Sequence, residues 1–176
     1  MITLRELSRE DLPTINRWRR DPVVADGVAA PPRFIGLDVD VQWYEDYLTR
    51  RGRQVRCVVC LADSGQLVGM VSLTGIDYVH RNAELHIMIG ERESQNRGIG
   101  TAAARAMVRH GFFDLNLHRI YVHVLRSNVR SIRMFQKAGF REEGIIREGA
   151  YKRGRYCDLV LMGLLESELP SEGSEE

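Results

Sequence analysis

Alternating and helical hydrophobic patterns divide the first half of the chain into six predicted elements. ITLREL alternates as a strand, and SREDLPTINRWRR predicts a helix that begins after Ser8 and ends at Asp21-Pro22. Residues 21 to 37 are rich in Pro, Gly and Ala and predict a loop, and a helix follows from Val39 to Arg50. VRCVVCLA, the turn DSGQ and LVGMVSLTGI predict a hairpin, and NAELHIMIG predicts a further strand.

Helices and strands alternate in the second half. Apolar residues recur at helical spacing after residue 98, which predicts one buried stripe of Ile99, Ala102, Ala103, Ala106, Met107 and Phe113. HRIYVHVL predicts a strand, and NVRSIRMFQKAGF predicts a helix capped by Ser127 or Asn128 and ended by Gly139. Two long antiparallel strands follow, joined by KRGR. The order β-α-α-β-β-β-α-β-α-β-β predicts a mixed α/β (α+β) fold, a sheet flanked by helices.

The size and apolar content fit one globular domain. The chain has 176 residues, of which 44% are hydrophobic, and this suffices for one well-filled core. We assign the domain to residues 1–168 and expect LPSEGSEE, residues 169–176, to form a disordered acidic tail.

The charges nearly cancel, with 25 basic and 24 acidic residues. No overall field therefore favours nucleic acid or an anionic membrane as a partner. No apolar run approaches the roughly 20 residues that span a bilayer. The first residues are already charged at the fifth position, unlike a signal peptide, so a cytoplasmic location is expected.

Three cysteines, Cys57, Cys60 and Cys157, do not predict a disulfide framework. Cys57 and Cys60 have the spacing of a redox or metal pair, but they lie in a predicted strand, where an offset of three sends the thiols to opposite faces. No second pair or histidine cluster completes a zinc set, so we expect structural cysteines and no metal site.

The segment ESQNRGIGTAAARAM places two glycines at the start of a predicted helix. A helix N-terminus offers unpaired N–H groups and a partial positive charge, which together bind phosphate. Gly98 and Gly100 remove side chains that would hold such a ligand away, and Gln95, Arg97 and Thr101 supply polar groups. The alternative is that the glycines only turn the chain into a tightly packed helix.

Two phosphate-binding motifs fit this segment poorly. A P-loop is excluded because no Gly-Lys-Ser/Thr follows the glycines. GIGTAA formally fits the dinucleotide fingerprint, but several residues separate it from the preceding strand, and the following strand carries no acid for a ribose.

A third motif, Q-x-x-G-x-G, occurs as QNRGIG. With the strand AELHIMIG before it and RSNVRSIRMFQKAGF after RIYVHVL, the sequence resembles the GNAT acetyltransferases, in particular the branch of ribosomal-protein N-terminal and spermidine acetyltransferases. The resemblance covers nearly the whole chain and is strongest over residues 69–165. It implies a mostly antiparallel sheet of six or seven strands flanked by about four helices, with a splayed strand pair at the cofactor site.

The resemblance also implies that the chain binds acetyl-CoA. In the family the glycine loop holds the pyrophosphate, the preceding strand pairs with the pantetheine arm, and a backbone N–H, here of Met88 or Ile89, faces the thioester carbonyl. Asn128 matches a cofactor contact and is also explained as a helix cap. The implied cofactor-binding residues are Ile87, Met88, Ile89, Gln95, Asn96, Arg97, Gly98, Ile99, Gly100, Thr101, Asn128, Ser131 and Phe135.

Direct attack of an amine on the thioester requires a base rather than an enzyme nucleophile. Glu84 is the first candidate, and His86 and Glu148 stay open, each being equally explained as a solvated strand residue. Many relatives protonate the leaving thiolate with a tyrosine where this chain has Phe135. Ser131 is the substitute that the resemblance offers, although coenzyme A also leaves as a thiolate.

The acceptor should contact residues 18 to 54 and the final hairpin, where a mixture of aromatic and acidic residues suits a cationic amine. These residues are Trp18, Phe34, Trp43, Tyr44, Tyr47, Asp21, Asp26, Asp38, Asp40, Glu45 and Asp46. A protein N-terminus is the preferred acceptor, and polyamines and amino sugars stay open. A non-catalytic acyl-CoA-binding module is the alternative function, and a homodimer is an assembly common in the family.

Overall fold

The computed structural model describes residues 1–29 and 34–169 and contains a seven-stranded sheet. The strands are β1 (Ile2–Glu6), β2 (Val55–Leu61), β3 (Leu67–Asp77), β4 (Asn82–Ile89), β5 (Arg119–Leu125), β6 (Arg141–Lys152) and β7 (Arg155–Leu165). The helices are α1 (Leu12–Arg20), α2 (Pro22–Gly27), α3 (Leu37–Thr49), α4 (Ile99–Arg109) and α5 (Val129–Ala138). The order across the sheet is β1-β2-β3-β4-β5-β7-β6, and only β4 and β5 are parallel. The predicted mixed, mostly antiparallel fold is confirmed.

The sheet separates two apolar clusters because its side chains alternate between faces. Helices α1 and α3 cover one face, where Ile15, Trp18 and Tyr47 pack on Val58 and Cys60. Helices α4 and α5 cover the other face, and Cys57 packs there. The two thiols thus lie on opposite faces, as predicted. All three cysteines are free, and burial raises the pKa of Cys57 to about 11.

The predicted loop over residues 21 to 37 is wrong in part, because Pro22–Gly27 forms the short helix α2. The Asp21 side chain caps α2 by accepting from the Val23 N–H at 2.9 Å, and proline is preorganised for the first helical position. Buried Val24 anchors the helix to the fold. Residues 30–33 of the predicted loop lie outside the described residues.

The buried stripe of α4 differs from the predicted one. Ala104 and Val108 are buried in place of Ala102 and Ala106. A π-helical turn over His110–Asp114 continues the helix. Phe112, four residues after Val108, is buried and Phe113 is exposed.

The final two strands form the predicted hairpin. Leu169, the first residue of the predicted tail, packs against the main core cluster, so the folded part reaches one residue further than predicted. Residues 170–176 lie outside the described residues. Within the described ranges, no helix is long and apolar enough to cross a membrane.

Candidate active site

Strands β4 and β5 separate after a short parallel contact. They pair only from Asn82 to Glu84 on β4. Beyond Glu84, β4 stays beside β3 as far as Ile89, whereas β5 stays beside β7 as far as Leu125. The sheet therefore opens between the second half of β4 and the second half of β5, which is the splayed pair that the resemblance implies.

Backbone groups of β4 that are not directed at β3 face this opening. The Gly90 N–H donates to the Val68 carbonyl at 2.9 Å, and bonding directions alternate along an antiparallel strand. The Met88 N–H is consequently directed at β3, whereas the N–H groups of Ile87 and Ile89 are directed at the opening. The Ile89 carbonyl accepts from Gln95 Nε2 at 3.1 Å.

Helix α1 fixes the end of β4 by close packing. A Cβ on Gly90 would lie 1.9 Å from the Trp18 ring, so only glycine permits this approach. Trp18 Nε1 also donates to Glu91 Oε1 at 2.8 Å. Trp18 is therefore a structural residue rather than an acceptor contact.

The glycine loop borders a cavity of about 510 Å³, which we call the loop cavity. Gly98 is the N-cap of α4 and has a φ of 77°, a left-handed conformation that favours glycine. A Cβ on Gly98 would meet nothing within 4 Å, whereas a Cβ on Gly100 would make ordinary van der Waals contact with Met134 Cγ at 3.5 Å, so the space beside Gly98 is open. That space beside a helix N-terminus suits a phosphate.

Eight of the thirteen predicted cofactor-binding residues line the loop cavity. Ile87, Ile89, Gln95, Asn96, Gly98, Gly100, Thr101 and Ser131 line it, together with the basic residues Arg130, Arg133 and Lys137. Ile99 is buried in the core instead, and Arg97 is exposed outside the lining. These three basic residues were not predicted, although their spacing of three and four on α5 is visible in the sequence.

A second cavity of about 750 Å³, the central cavity, lies on the α1 and α3 side of the opening. Its polar lining consists of Arg19, Arg56, Ser72, Thr74, Glu84, His86, His123 and Ser131. Met88 and Phe135 contribute apolar surface. Glu84 is the only carboxylate among the described lining residues.

Glu84 lies between two histidines. His123 Nδ1 is 2.7 Å from Glu84 Oε1, and His86 Nε2 is 3.7 Å from Glu84 Oε2. Thr74 Oγ1 is 2.9 Å from His86 Nε2. Partial desolvation lowers the pKa of His86, although its side chain keeps 51% of its exposure.

His123 was not among the predicted site residues. It lies on β5, and only the register Glu84↔Tyr121 brings that strand beside β4. The alternation of HRIYVHVL placed Tyr121 and His123 on one face, but no local signal indicated which neighbour that face would meet.

The two cavities meet at Ile87 and Ser131, which line both. The Ser131 N–H donates to Asn128 Oδ1 at 3.1 Å, so Asn128 caps α5. Asn128 Nδ2 donates to the Gly27 carbonyl at 2.9 Å, and Asn128 lines neither cavity. Its predicted cofactor contact receives no support from this geometry.

The predicted acceptor residues are engaged elsewhere. Tyr47 is buried, and its hydroxyl donates to Glu6 Oε1 at 2.6 Å. The acids form ion pairs in several cases, namely Asp21 with Arg92, Asp26 with Arg153, Asp40 with Arg19 and Glu45 with Arg9. None of the predicted aromatic or acidic acceptor residues lines the central cavity.

Glu148, the third candidate base, also lies outside both cavities. Its N–H donates to Asp158 Oδ1 at 3.0 Å, and its φ of 53° marks an irregularity in β6. The geometry favours Glu84 and the neighbouring histidines over Glu148.

Comparisons with known proteins agree with this geometry. Residues 1–141 match the family model described as the acetyltransferase (GNAT) domain. The chain is 32% identical over 166 residues to the spermidine N(1)-acetyltransferase of Vibrio cholerae, and 94% of each chain is covered. The crystal structure of the Vibrio cholerae spermidine N-acetyltransferase in complex with CoA and spermine matches with a TM-score of 0.88 and 32% identity, covering 95% of this chain and 96% of that one. A Bacillus subtilis protein provisionally named ribosomal N-acetyltransferase YdaF is 38% identical over 108 residues, which are 61% of this chain and 58% of that one.

Proposed function

The chain belongs to the GNAT family and is an acetyl-CoA-dependent N-acetyltransferase, and from this premise we propose that its acceptor is the primary amine of a small molecule bound in the central cavity. One observation carries the proposal. Two cavities lie at the opening of the sheet and share Ile87 and Ser131, so a donor in one and an amine in the other meet at these residues.

The loop cavity fits the donor. N–H groups at the start of α4 and the basic side chains of Arg130, Arg133 and Lys137 suit the phosphates of CoA. Gln95 supports the loop, because its Oε1 accepts from Arg130 Nη1 at 2.9 Å while its Nε2 binds the Ile89 carbonyl. Acetyl-CoA supplies the acetyl group as an activated thioester. The Ile89 N–H is the better placed of the two predicted donors to the thioester oxygen.

Glu84 and His123 are suited to deprotonating the acceptor ammonium. A carboxylate bonded to Nδ1 fixes the imidazole tautomer and leaves a lone pair on Nε2. The pair thereby forms a positioned base of the kind used in general base catalysis. We assign His123 the proton transfer and Glu84 the orientation of the ring.

The thiolate needs little help to leave. Phe135 has no hydroxyl, so it cannot supply a proton. Ser131, at the junction of the cavities, is the available hydroxyl. A free thiol has a pKa of about 8.5, so loss of Ser131 should slow the reaction only modestly.

Spermidine and spermine are the first acceptors to assay. The similarity to the Vibrio cholerae spermidine acetyltransferase extends over 94% of this chain, whereas the similarity to YdaF extends over 61% of it. This difference supports a small-molecule amine over the protein N-terminus preferred from the sequence.

Release of free CoA thiol should be measured with polyamines, amino sugars, amino acids and N-terminal peptides. We expect thiol release with small amines and little with peptides, and a Glu45→Gln control should behave like the wild type because Glu45 lies outside the cavity. Binding of CoA without thiol release for every amine would overturn the proposal in favour of an acyl-CoA-binding module.

A further inference from the structure

The central cavity contains an arginine whose charge no acid balances. Arg56 lies on β2 in one row with Ser72 and His86, as the register Arg56↔Ser72 and Ser72↔His86 shows. All three side chains line the cavity. Arg56 therefore lies across the cavity from the Glu84 strand.

Its contacts are neutral. Arg56 Nε donates to Gln54 Oε1 at 2.9 Å, and the guanidinium lies over the Trp43 ring at 4.6 Å. Within residues 1–29 and 34–169, no carboxylate forms an ion pair with Arg56. The fold thus keeps a half-buried cation with unused donors at the cavity wall.

The neighbouring arginine differs in this respect. Arg19 pairs with Asp40, which is fully buried and also accepts from Asn16 Nδ2 at 2.7 Å. The Asp40 carboxylate therefore balances the charge of Arg19, and Asp40 does not line the cavity. Burial and the nearby charge of Arg19 lower the pKa of Arg56 to about 10, so Arg56 stays protonated at neutral pH in surroundings that disfavour its charge.

We infer that the acceptor carries an anionic group, a carboxylate or a phosphate, in addition to its amine, and that Arg56 binds this group. The inference rests on the proposed function and narrows its substrate class. A guanidinium with free donors is the preferred partner of carboxylate and phosphate. A polyamine, in contrast, needs several acids, and the described lining offers only Glu84, which already binds His123.

The sheet geometry sets the length of such an acceptor. Arg56 and His86 are two strand spacings apart, or about 10 Å between backbones. An amine near Glu84 and His123 is thus separated from an anionic group at Arg56 by several bonds. An amino sugar phosphate or an ω-amino acid has this shape.

The test compares acceptors in which the anionic group is present with acceptors in which it is absent or replaced by a second ammonium group. We would measure kcat/KM for glucosamine 6-phosphate against glucosamine, and for 5-aminopentanoate against 1,5-diaminopentane. The anionic member of a pair should be preferred at least about tenfold, the factor expected for a hydrogen bond to a charged group. Comparing the preference within the phosphate pair with that within the carboxylate pair identifies which anionic group Arg56 binds.

Arg56→Gln should bring the ratio within each pair close to one and leave the KM of acetyl-CoA unchanged, and Arg56→Lys should keep part of the preference. Arg53→Gln is the matched control, since Arg53 is exposed and lies outside the cavity. The thermal midpoint of Arg56→Gln should equal or exceed that of the wild type, because an unbalanced charge is removed. A wild-type preference for diaminopentane, or equal losses for all acceptors in Arg56→Gln, would overturn the inference.

Calorimetry separates this inference from the proposed function. Glucosamine 6-phosphate and 5-aminopentanoate would be titrated into the CoA-loaded protein and into loaded Arg56→Gln. Binding that needs Arg56 without any turnover supports the anionic subsite and defeats the proposed acetylation of small amines. Absence of Arg56-dependent binding overturns the subsite, whatever the turnover.

Discussion

At the scale of single residues, Glu84 and His123 are expected to act as one catalytic unit, because a 2.7 Å contact joins them. Glu84→Gln and His123→Asn should each lower kcat by about 100-fold, the usual contribution of a general base. The double variant should cost little more than either single change, since groups that act together are non-additive.

Steady-state kinetics with each variant checks this expectation, and the KM of acetyl-CoA should stay within about twofold, because neither residue lines the loop cavity. If the decrease in kcat of the double variant equals the product of the two single decreases, the two residues act independently. Unchanged kcat in Glu84→Gln would remove it from the catalytic machinery.

Gly98 and Gly100 make a second residue-scale comparison. Gly98→Ala should lower the free energy of unfolding by about 1 kcal/mol, because alanine is strained at a φ of 77°. Gly100→Ala should leave it unchanged or raise it by less than about 1 kcal/mol, since its Cβ finds ordinary contacts and alanine favours a helix.

Urea unfolding of both variants measures this difference. Equal destabilisation would show that the fold requires glycine at position 100 as well as at Gly98.

Individual site residues differed in how far the sequence could locate them. Gln95 and Gly98 line the loop cavity as the sequence suggested, because a glycine loop before a helix is a local pattern. His123 was missed because its partner Glu84 is supplied by strand register. The expected acidic acceptor face receives no support, because Asp21 and Asp26 pair with distant arginines, Arg92 and Arg153.

At the scale of elements, the turn that begins α1 depends on Asp11. The Asp11 carboxylate accepts from both Arg5 amino groups at 2.7 and 2.8 Å and from the Ser8 N–H at 2.9 Å. Burial opposes the charge, but these bonds prevail and lower the pKa of Asp11. The ionised form therefore stabilises the fold above the unfolded pKa of 3.8.

We predict that Asp11→Asn lowers the free energy of unfolding by about 1 to 3 kcal/mol at pH 7. The difference from the wild type should shrink as the pH falls below about 3.8 and the wild-type carboxylate takes up a proton. Urea unfolding from pH 7 to 2.5 measures it, and a difference independent of pH would contradict the ion pair as the cause.

Elements were predicted best where their signals are local. The helix that ends at Gly139 and the hairpin around KRGR follow from caps and turn residues that act on their neighbours. Helix α2 was missed because six residues give too little periodicity. The buried stripe of α4 was wrong in part because alanines occupy positions 102, 103, 104 and 106, so the apolar pattern does not distinguish the buried alanines from the others.

At the scale of the whole molecule, one lysine joins the C-terminal hairpin to the cavity wall. Lys152, at the end of β6, is buried and donates to the carbonyls of Ala25, Asp26 and Val28. Burial lowers its pKa. Ala25 and Val28 line the central cavity, so this contact holds one wall of the proposed acceptor site.

Lys152→Met should raise the KM of the acceptor at least about fivefold and change the KM of acetyl-CoA less than twofold, because the wall loses charge-assisted hydrogen bonds. The thermal midpoint should fall as well. Initial-rate kinetics with each substrate varied in turn measures the effect, and Arg153→Gln, which removes an exposed ion pair nearby, is the control. Equal changes in both KM values would show a general loss of structure instead.

The short contact between β4 and β5 divides the sheet along a line that follows the chain, with β1 to β4 before it and β5 to β7 after it. An extended ligand with amide groups in the opening would hydrogen-bond to the edge of β4 that β5 leaves unpaired. The cosubstrate would therefore act as an additional strand. Hydrogen exchange at the Ile87 and Ile89 amides should therefore slow when CoA binds, whereas the Met88 amide, already bonded within the sheet, should change little. Equal slowing at all three amides would point instead to a general stiffening of the protein.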